Sequence, residues 1–116
     1  MSLSAAIGLA GAKPVELIKI DAQGLDVSLV MATDPAVLRK KVRTIQLETI
    51  GDDCNTLYEG QRRCGETIAY MRSIGYRLSH GEAAGTMARL DAEVVARCSS
   101  KAFRSYCEAD LIFERV

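Results

Sequence analysis

Stretches with strand-like spacing of apolar residues occur at four places along the chain. Residues 15–20 read VELIKI and carry apolar side chains at both odd and even positions, which is typical of a strand covered on both faces. The β-branched segment VRTIQLETI, residues 42–50, predicts a second strand. The short YRLSH at residues 76–80 and the closing ADLIFERV at 109–116 predict two more.

Helix-like spacing fills the intervals between these strands. Asp34-Pro35 is a strong helix start, because Asp caps the first turn and Pro suits its first position. Met87, Leu90, Val94 and Cys98 form one stripe and predict a long amphipathic helix after a turn at Gly81 to Gly85. The predicted helices are Ser4 to Gly11, LDVSLVMA at residues 25–32, AVLRKK at 36–41, Gln61 to Ile74 and Thr86 to about Ala102.

The alternation of strands and helices predicts an α/β domain. Because helices join the first two strands, we expect these strands to lie parallel, and we expect YRLSH and ADLIFERV to pair antiparallel. At 116 residues, the chain is expected to form a single domain, residues 1–116.

Composition narrows the classes of function. Lys plus Arg and Asp plus Glu number 15 each, so the net charge of zero argues against a nucleic-acid partner. Since no apolar stretch approaches the roughly 20 residues of a membrane span, we expect no membrane partner and a cytoplasmic protein. The four cysteines lack C-x-x-C spacing and predict reduced thiols in a reducing compartment; a structural disulfide or a metal site is the alternative.

Two acids directly follow the apolar stretches of the first two strands. Asp21 comes one residue after VELIKI, and Glu48 comes one residue after TIQL. Because ligands of open α/β sheets bind outside the carboxyl ends of parallel strands, both carboxylates are predicted to face one crevice. Such a pair can orient a substrate hydroxyl or act as a general base. Alternatively, Asp21 caps the helix that begins near Gly24, and Glu48 is solvated.

A long polar loop, Gly51 to Gly60, lies between the second strand and the helix at Gln61. Loops of this length are often functional and can overhang a crevice. Tyr58 is therefore a candidate substrate-binding residue.

Several segments together resemble the FkbM-type methyltransferases. VELIKIDAQGLDVSLV resembles that family's "lIKiDvEGxExxvL" segment, and VRTIQLET is similar to its following strand. YMRSIGYRL and ADLIFERV resemble its later helix-strand unit and closing strand. The resemblance runs over roughly Ser2 to Leu78 and again over Ala109 to Val116.

The resemblance implies a partial Rossmann-like methyltransferase sheet of parallel strands with flanking helices and a carboxyl-terminal antiparallel pair. It implies methyl transfer from S-adenosylmethionine to an oxygen of a sugar or small metabolite. Asp21 and Glu48 would be catalytic, Asp21 and Ala22 would contact the cofactor, and Gln23 and Tyr58 would bind substrate. No metal is implied.

Two departures from the family pattern matter. Gln23 stands where the family has Glu, and no glycine-rich turn follows an earlier strand, so only the carboxyl-terminal half is represented. VELIKI would then be an apolar edge, which predicts a homo-oligomer or a missing amino-terminal half as partner. A non-catalytic module that assembles through this edge is therefore an alternative to the enzyme, and another type of small-molecule-binding α/β domain is a third interpretation.

Overall fold

The computed structural model describes residues 2–22, 24–83, 88–103 and 107–116, and these contain a five-stranded sheet with short helices between its strands. In chain order the elements are α1 (Leu3–Gly8), β1 (Val15–Ile20), α2 (Asp26–Met31), α3 (Pro35–Lys41), β2 (Val42–Ile50), α4 (Cys64–Ser73), β3 (Tyr76–Ala83), β4 (Arg89–Asp91), α5 (Ala92–Val95) and β5 (Glu108–Arg115). The predicted α/β class is confirmed. So is the helix start at Asp34-Pro35, where the Asp34 carboxylate accepts a hydrogen bond from the backbone nitrogen of Ala36 at 2.9 Å.

The strands lie in the order β1-β2-β5-β3-β4. β1 and β2 are parallel, with Ile20 opposite Leu47, and β3 pairs antiparallel with β5, as predicted. The antiparallel part extends beyond the predicted carboxyl-terminal pair, because β5 inserts between β2 and β3 and runs antiparallel to both. The described sheet is therefore mixed and mostly antiparallel, with one parallel pair.

The two faces of the sheet differ in chemistry. Successive side chains of a strand point to opposite faces, and paired residues share a face. One face, called the core face here, carries apolar residues that form one buried cluster with residues of α2 to α5. Its members include Ile20, Ile45, Leu47, Leu111 and Phe113 from the strands and Val27, Val30, Leu38, Met71 and Val95 from the helices.

The opposite face, called the polar face here, carries mainly hydrophilic side chains. Gln46 and Glu48 of β2 lie there, opposite Ile112 and Asp110 of β5. Lys19 of β1 lies beside Gln46 on the same face. The polar face therefore presents hydrogen-bonding groups where the core face presents hydrocarbon.

β1 is an edge strand, as expected of VELIKI without a preceding half, but it is not covered on both faces. Its residues are mostly exposed or half-buried, and only Ile20 is buried. Leu17 is 52% exposed. The apolar residues of VELIKI therefore lie on an edge strand that leaves apolar side chains exposed, rather than on an interior strand.

The long helix expected from Thr86 to about Ala102 is wrong within its described part, and Thr86 and Met87 lie outside the described residues. The chain there forms β4 and the four-residue α5. The four-residue spacing that predicted a helix is also met by Leu90, which is buried on a strand, and Val94 on α5. Cys98 has φ of 54°, a left-handed conformation that does not continue a helix.

The predicted turn at Gly81 to Gly85 is also wrong where it is described. Gly81 continues β3 opposite Leu111, and the strand runs on to Ala83. A Cβ on Gly81 would lie 2.9 Å from Cγ2 of Val95, so the glycine allows α5 to approach the sheet closely.

The expectation of reduced thiols is corrected by two disulfides that use all four cysteines. Cys64 pairs with Cys98 inside the core, and Cys54 pairs with Cys107 nearer the surface. Their Cα separations of 5.4 and 6.0 Å lie in the usual range for disulfides. The spacing of the cysteines could not predict this pairing, because partners 34 and 53 residues apart are brought together only by the sheet.

Candidate functional site

A buried aspartate aligns the ends of β1 and β2. Asp26 begins α2 and is only 1% exposed. One of its carboxylate oxygens accepts a hydrogen bond from the backbone nitrogen of Ala22 at 3.0 Å, and the other accepts from that of Glu48 at 3.1 Å. Because a single carboxylate holds Ala22, just after β1, and Glu48, near the end of β2, Asp21 and Glu48 are fixed next to one another at this end of the parallel pair.

Asp21 and Glu48 line a common pocket of about 220 Å³, as the sequence predicted. Asp110 of β5 joins them, because its position directly opposite Glu48 places both side chains on the polar face. Lys19 and Ile20 complete the lining. This group of five residues is called the acidic pocket below, and its three carboxyl groups face one ammonium group.

The carboxyl group of Glu48 is held neutral over most of the physiological range. Burial, then contact with Glu108, and then the negative charges of Asp110 and Asp26 raise the pKa of Glu48 to about 8. Oε2 of Glu108 is buried and has no hydrogen-bond donor among the described residues. A protonated Glu48 can supply the missing donor, so the two side chains act as a carboxyl-carboxylate pair that shares one proton.

Burial also raises the pKa of Asp26, and the charge of Asp21 adds to this effect, whereas the hydrogen bonds from Glu48 and Ala22 oppose it. Both backbone N–H groups favour the ionised carboxylate of Asp26, whereas each further negative charge at the rim disfavours it. The hydrogen bonds of Asp26 therefore hold the strand ends in place, and its ionisation depends on the charge of the acidic pocket.

Lys19 and Gln46 limit the negative charge of the acidic pocket. The amide nitrogen of Gln46 donates to the Asp110 carboxylate at 3.2 Å. Lys19 lies on the same rim, beside Gln46 in the parallel pairing. Asp110 thus has a hydrogen-bond donor beside it, whereas the side chain of Asp21 accepts no hydrogen bond from the described residues and stays exposed.

Asp21 does not cap the following helix, which was the alternative for it. Leu25 precedes the first residue of α2, and no side chain caps that end. Asp21 is therefore available for contact with a ligand. Glu48 is half-buried rather than simply solvated, so the alternative for that residue is wrong as well.

The loop that carries Tyr58 contacts the turn after β1. Gly24 has φ of 92°, and a Cβ on it would lie 2.6 Å from Cβ of Tyr58, so the turn and the loop need glycine there. Tyr58 is exposed and is not among the residues that line the acidic pocket. Ala22 lies on the same turn, and Gln23 lies outside the described residues.

Three acids of this region were missed by the sequence interpretation. Asp110 and Glu108 meet Glu48 only because β5 pairs with β2, a contact between residues more than 55 positions apart. Asp26 had a local signal, since an acid in the first turn of a helix directly after a strand is placed to accept backbone hydrogen bonds. Its hydrogen bond from the backbone nitrogen of Glu48 could not be predicted from the spacing of residues along the chain.

Other ligand classes have less support in the described parts of the chain. No group of three or more His, Cys, Asp and Glu side chains in residues 2–22, 24–83, 88–103 and 107–116 is arranged to hold a metal ion. None of the helices in those ranges is long and apolar enough to cross a membrane. Comparisons of the chain with protein-family models, curated protein sequences and solved structures found no match.

Proposed function

We propose that this chain is the acceptor-binding, carboxyl-terminal half of an S-adenosylmethionine-dependent O-methyltransferase. The observation that carries the proposal is the convergence of Asp21 and Glu48 in one pocket beyond the carboxyl ends of the parallel pair. The resemblance of the segment around Asp21 to FkbM-type enzymes supports it, and so does the antiparallel closing strand β5.

The residues present fit part of this cofactor. Three carboxyl groups around the acidic pocket suit the positive charge of a sulfonium. However, its volume of about 220 Å³ lies below the roughly 300–1,000 Å³ of pockets that enclose drug-sized ligands. The adenosyl portion therefore needs the residues of a preceding half-sheet, which would pair with the edge of β1.

The two acids have different roles in the proposed reaction. S-adenosylmethionine, when bound, supplies an electrophilic methyl group. Asp21 accepts the proton that the acceptor hydroxyl releases, because it is exposed and accepts no hydrogen bond from the described residues. Below about pH 8 the one proton of Glu48 is held against Glu108, and the carbonyl oxygen of Glu48 accepts a hydrogen bond from a hydroxyl of the acceptor and so orients it.

The charge of the acidic pocket favours some acceptor substrates over others. A phosphorylated sugar would bring further negative charge to a rim already occupied by Asp21, Glu48 and Asp110. Neutral polyols and amine-bearing small molecules are therefore the favoured substrates. Asp110 and Lys19 can hold neighbouring hydroxyl or amino groups of such a molecule.

The test is a titration of the chain with S-adenosylmethionine to millimolar concentration, followed by amide NMR shifts. We expect saturable shifts at Ala22, Asp26 and Glu48, which Asp21→Asn weakens at least tenfold. Glu16→Gln is the matched control, because it removes the same charge from the exposed opposite end of β1. Absence of saturable shifts, or equal weakening by both variants, would contradict the proposal.

A non-catalytic assembly module is the second candidate, and the exposure of Leu17 on the edge strand favours it. It predicts a concentration-dependent dimer in sedimentation measurements, which Leu17→Lys converts to monomer. Leu9→Lys is the control, because Leu9 is 78% exposed but follows α1 and lies off the sheet edge. A wild-type chain that stays monomeric at high concentration would remove this candidate.

The disulfides favour a different compartment from the cytoplasm expected from the sequence. Disulfides persist in oxidising environments and are rare in cytosolic proteins. We therefore propose that the chain folds where Cys54–Cys107 and Cys64–Cys98 can form. Thiol labelling of protein freshly isolated under acid quench should find all four cysteines blocked.

A further inference from the structure

A second pocket lies in the helix layer, away from the acidic pocket. It has a volume of about 250 Å³ and is enclosed by α4, the first residues of β3, and α5. Leu78, which lines it, is opposite Phe113 and so belongs to the core face, whereas the acidic pocket opens on the polar face. This second space is called the α4-α5 pocket below.

The strand pairing and the small residues of α5 explain why the space exists. β4 pairs with β3 only between His80 and Glu82. The first residues of β3 therefore pair with β5 on one side and have no strand on the other side. Ala92 and Ala96 face the space from α5 and its end, and their side chains are too short to fill it. The gap is therefore built from small residues next to an incomplete strand pair.

The walls of the α4-α5 pocket are largely apolar. Ile68 of α4, together with Tyr76 and Leu78 of β3, supplies most of the hydrocarbon. The hydroxyl of Tyr76 is already engaged, at 2.9 Å from the carbonyl oxygen of Leu38 and 2.5 Å from that of Val42. Tyr76 can therefore offer its ring to a ligand but not its hydroxyl.

One guanidinium group and one carboxylate border this apolar space. The guanidinium of Arg72, in the last turn of α4, forms no hydrogen bond or ion pair with the described residues. Arg77 also lines the space, but its guanidinium lies on the polar face, 3.9 Å from the Glu114 carboxylate. Glu93 is the acid of the lining, so an anionic group of a ligand is expected on the Arg72 side of the space.

We propose that the α4-α5 pocket binds a small monocarboxylate with a short apolar tail. Arg72 binds the carboxylate in the bidentate geometry that guanidinium groups favour. The tail replaces water against Ile68, Tyr76 and Leu78, and each methylene buried there adds about 0.8 kcal/mol. The volume, below that of a pocket for drug-sized ligands, suits a tail of hexanoate length.

The ligand series tests charge and tail separately. Hexanoate, hexanol and acetate are titrated into the full chain and followed by amide NMR shifts. We expect hexanoate to bind at least tenfold more tightly than either of the others, with shifts in α4, α5 and residues 76–78. Equal affinity for hexanoate and acetate, equal affinity for hexanoate and hexanol, or shifts centred on Asp21 and Glu48 would each overturn the proposal.

Variants test the assigned residues. Arg72→Gln should weaken hexanoate binding at least tenfold, whereas Arg97→Gln, at an exposed arginine outside the lining, should leave it unchanged. Ala96→Leu should fill the space and abolish binding, with thermal unfolding as the check that the variant is folded. An Arg72→Gln chain or a folded Ala96→Leu chain that binds hexanoate as the wild type does would overturn the proposal. Neither result depends on the acidic pocket.

Discussion

The core face and the polar face share the same strands yet hold different kinds of residue. On β2, Leu47 is completely buried on the core face, while its neighbours Gln46 and Glu48 point to the polar face. The core face is closed by helices and by the Cys64–Cys98 disulfide. The polar face instead gathers hydrogen-bonding and ionisable groups around one pocket.

This difference separates the face that stabilises the sheet from the face that carries the candidate site. Apolar burial on the core face supplies a stabilising free energy that needs no particular partner. The polar face offsets part of that free energy, because Glu48, Glu108 and Asp110 are acids brought close together and Glu48 is buried enough to be held in its neutral form. Substitutions of apolar residues on the core face should therefore lower stability more than substitutions on the polar face.

The largest effect is expected from the disulfide on the core side. Closure of its 34-residue loop stabilises the fold by about 4 kcal/mol. Replacing Cys64 and Cys98 together by alanine loses this free energy and also the packing of two buried sulfurs. The measurement is urea unfolding under non-reducing conditions, and we expect a chain that is largely unfolded or close to it.

The Cys54–Cys107 disulfide is the matched control for that change. It closes a longer loop of 53 residues, so chain entropy alone predicts that its removal costs at least as much. Cys107 is exposed, however, and little packing is lost there. We expect the Cys64 and Cys98 double variant to be the less stable. The reverse order would show that loop length, rather than core burial, decides.

A smaller effect is expected from single substitutions of neighbouring residues on β2. Leu47→Ala removes a completely buried side chain from the core face and should lower the free energy of unfolding by about 2–5 kcal/mol. Gln46→Ala removes one hydrogen bond to Asp110 on the polar face and should cost about 1 kcal/mol. Urea denaturation of both variants measures the difference, and equal losses would contradict the distinction between the faces.

Local pattern was enough to predict the first half of the fold. The β2 boundaries, the helix start at Asp34 and the positions of Asp21 and Glu48 depend on residues that are near one another in the chain. The failures lie after Gly81, where the structure depends on distant partners. β4 pairs with β3, and Cys98 bonds to Cys64, so tertiary contacts decide a segment whose four-residue spacing favours a helix.

The residues of the candidate site also divide into those that local sequence could predict and those that depend on distant strand pairing. Asp21 and Glu48 were predictable because parallel strands end at one rim. Asp110 and Glu108 were not, since nothing in ADLIFERV indicates that it inserts next to β2 rather than only beside YRLSH. The proton shared by Glu48 and Glu108 is a property of that insertion, and so it was invisible in the sequence.

The last prediction is a pH dependence of stability that comes from Glu48 on the polar face. The pKa of Glu48 is raised from 4.5 to about 8 in the folded chain, so the folded state holds a proton that the unfolded state has lost. The stability due to this proton is complete below about pH 4.5, falls as pH rises towards 8, and changes no further above it. Glu48→Gln should flatten this part of the stability profile.

Glu114→Gln tests whether that slope comes from the acidic pocket or from acids of the polar face in general. Glu114 lies on the same face near the end of β5, where Arg77 is its charged neighbour. Its replacement should keep the wild-type decline in stability between about pH 4.5 and 8. Urea unfolding at half-unit pH steps compares the three chains. If Glu48→Gln retains the wild-type slope, or Glu114→Gln removes it, Glu48 does not hold the proton that it is proposed to share with Glu108, and the different roles assigned to Asp21 and Glu48 are lost.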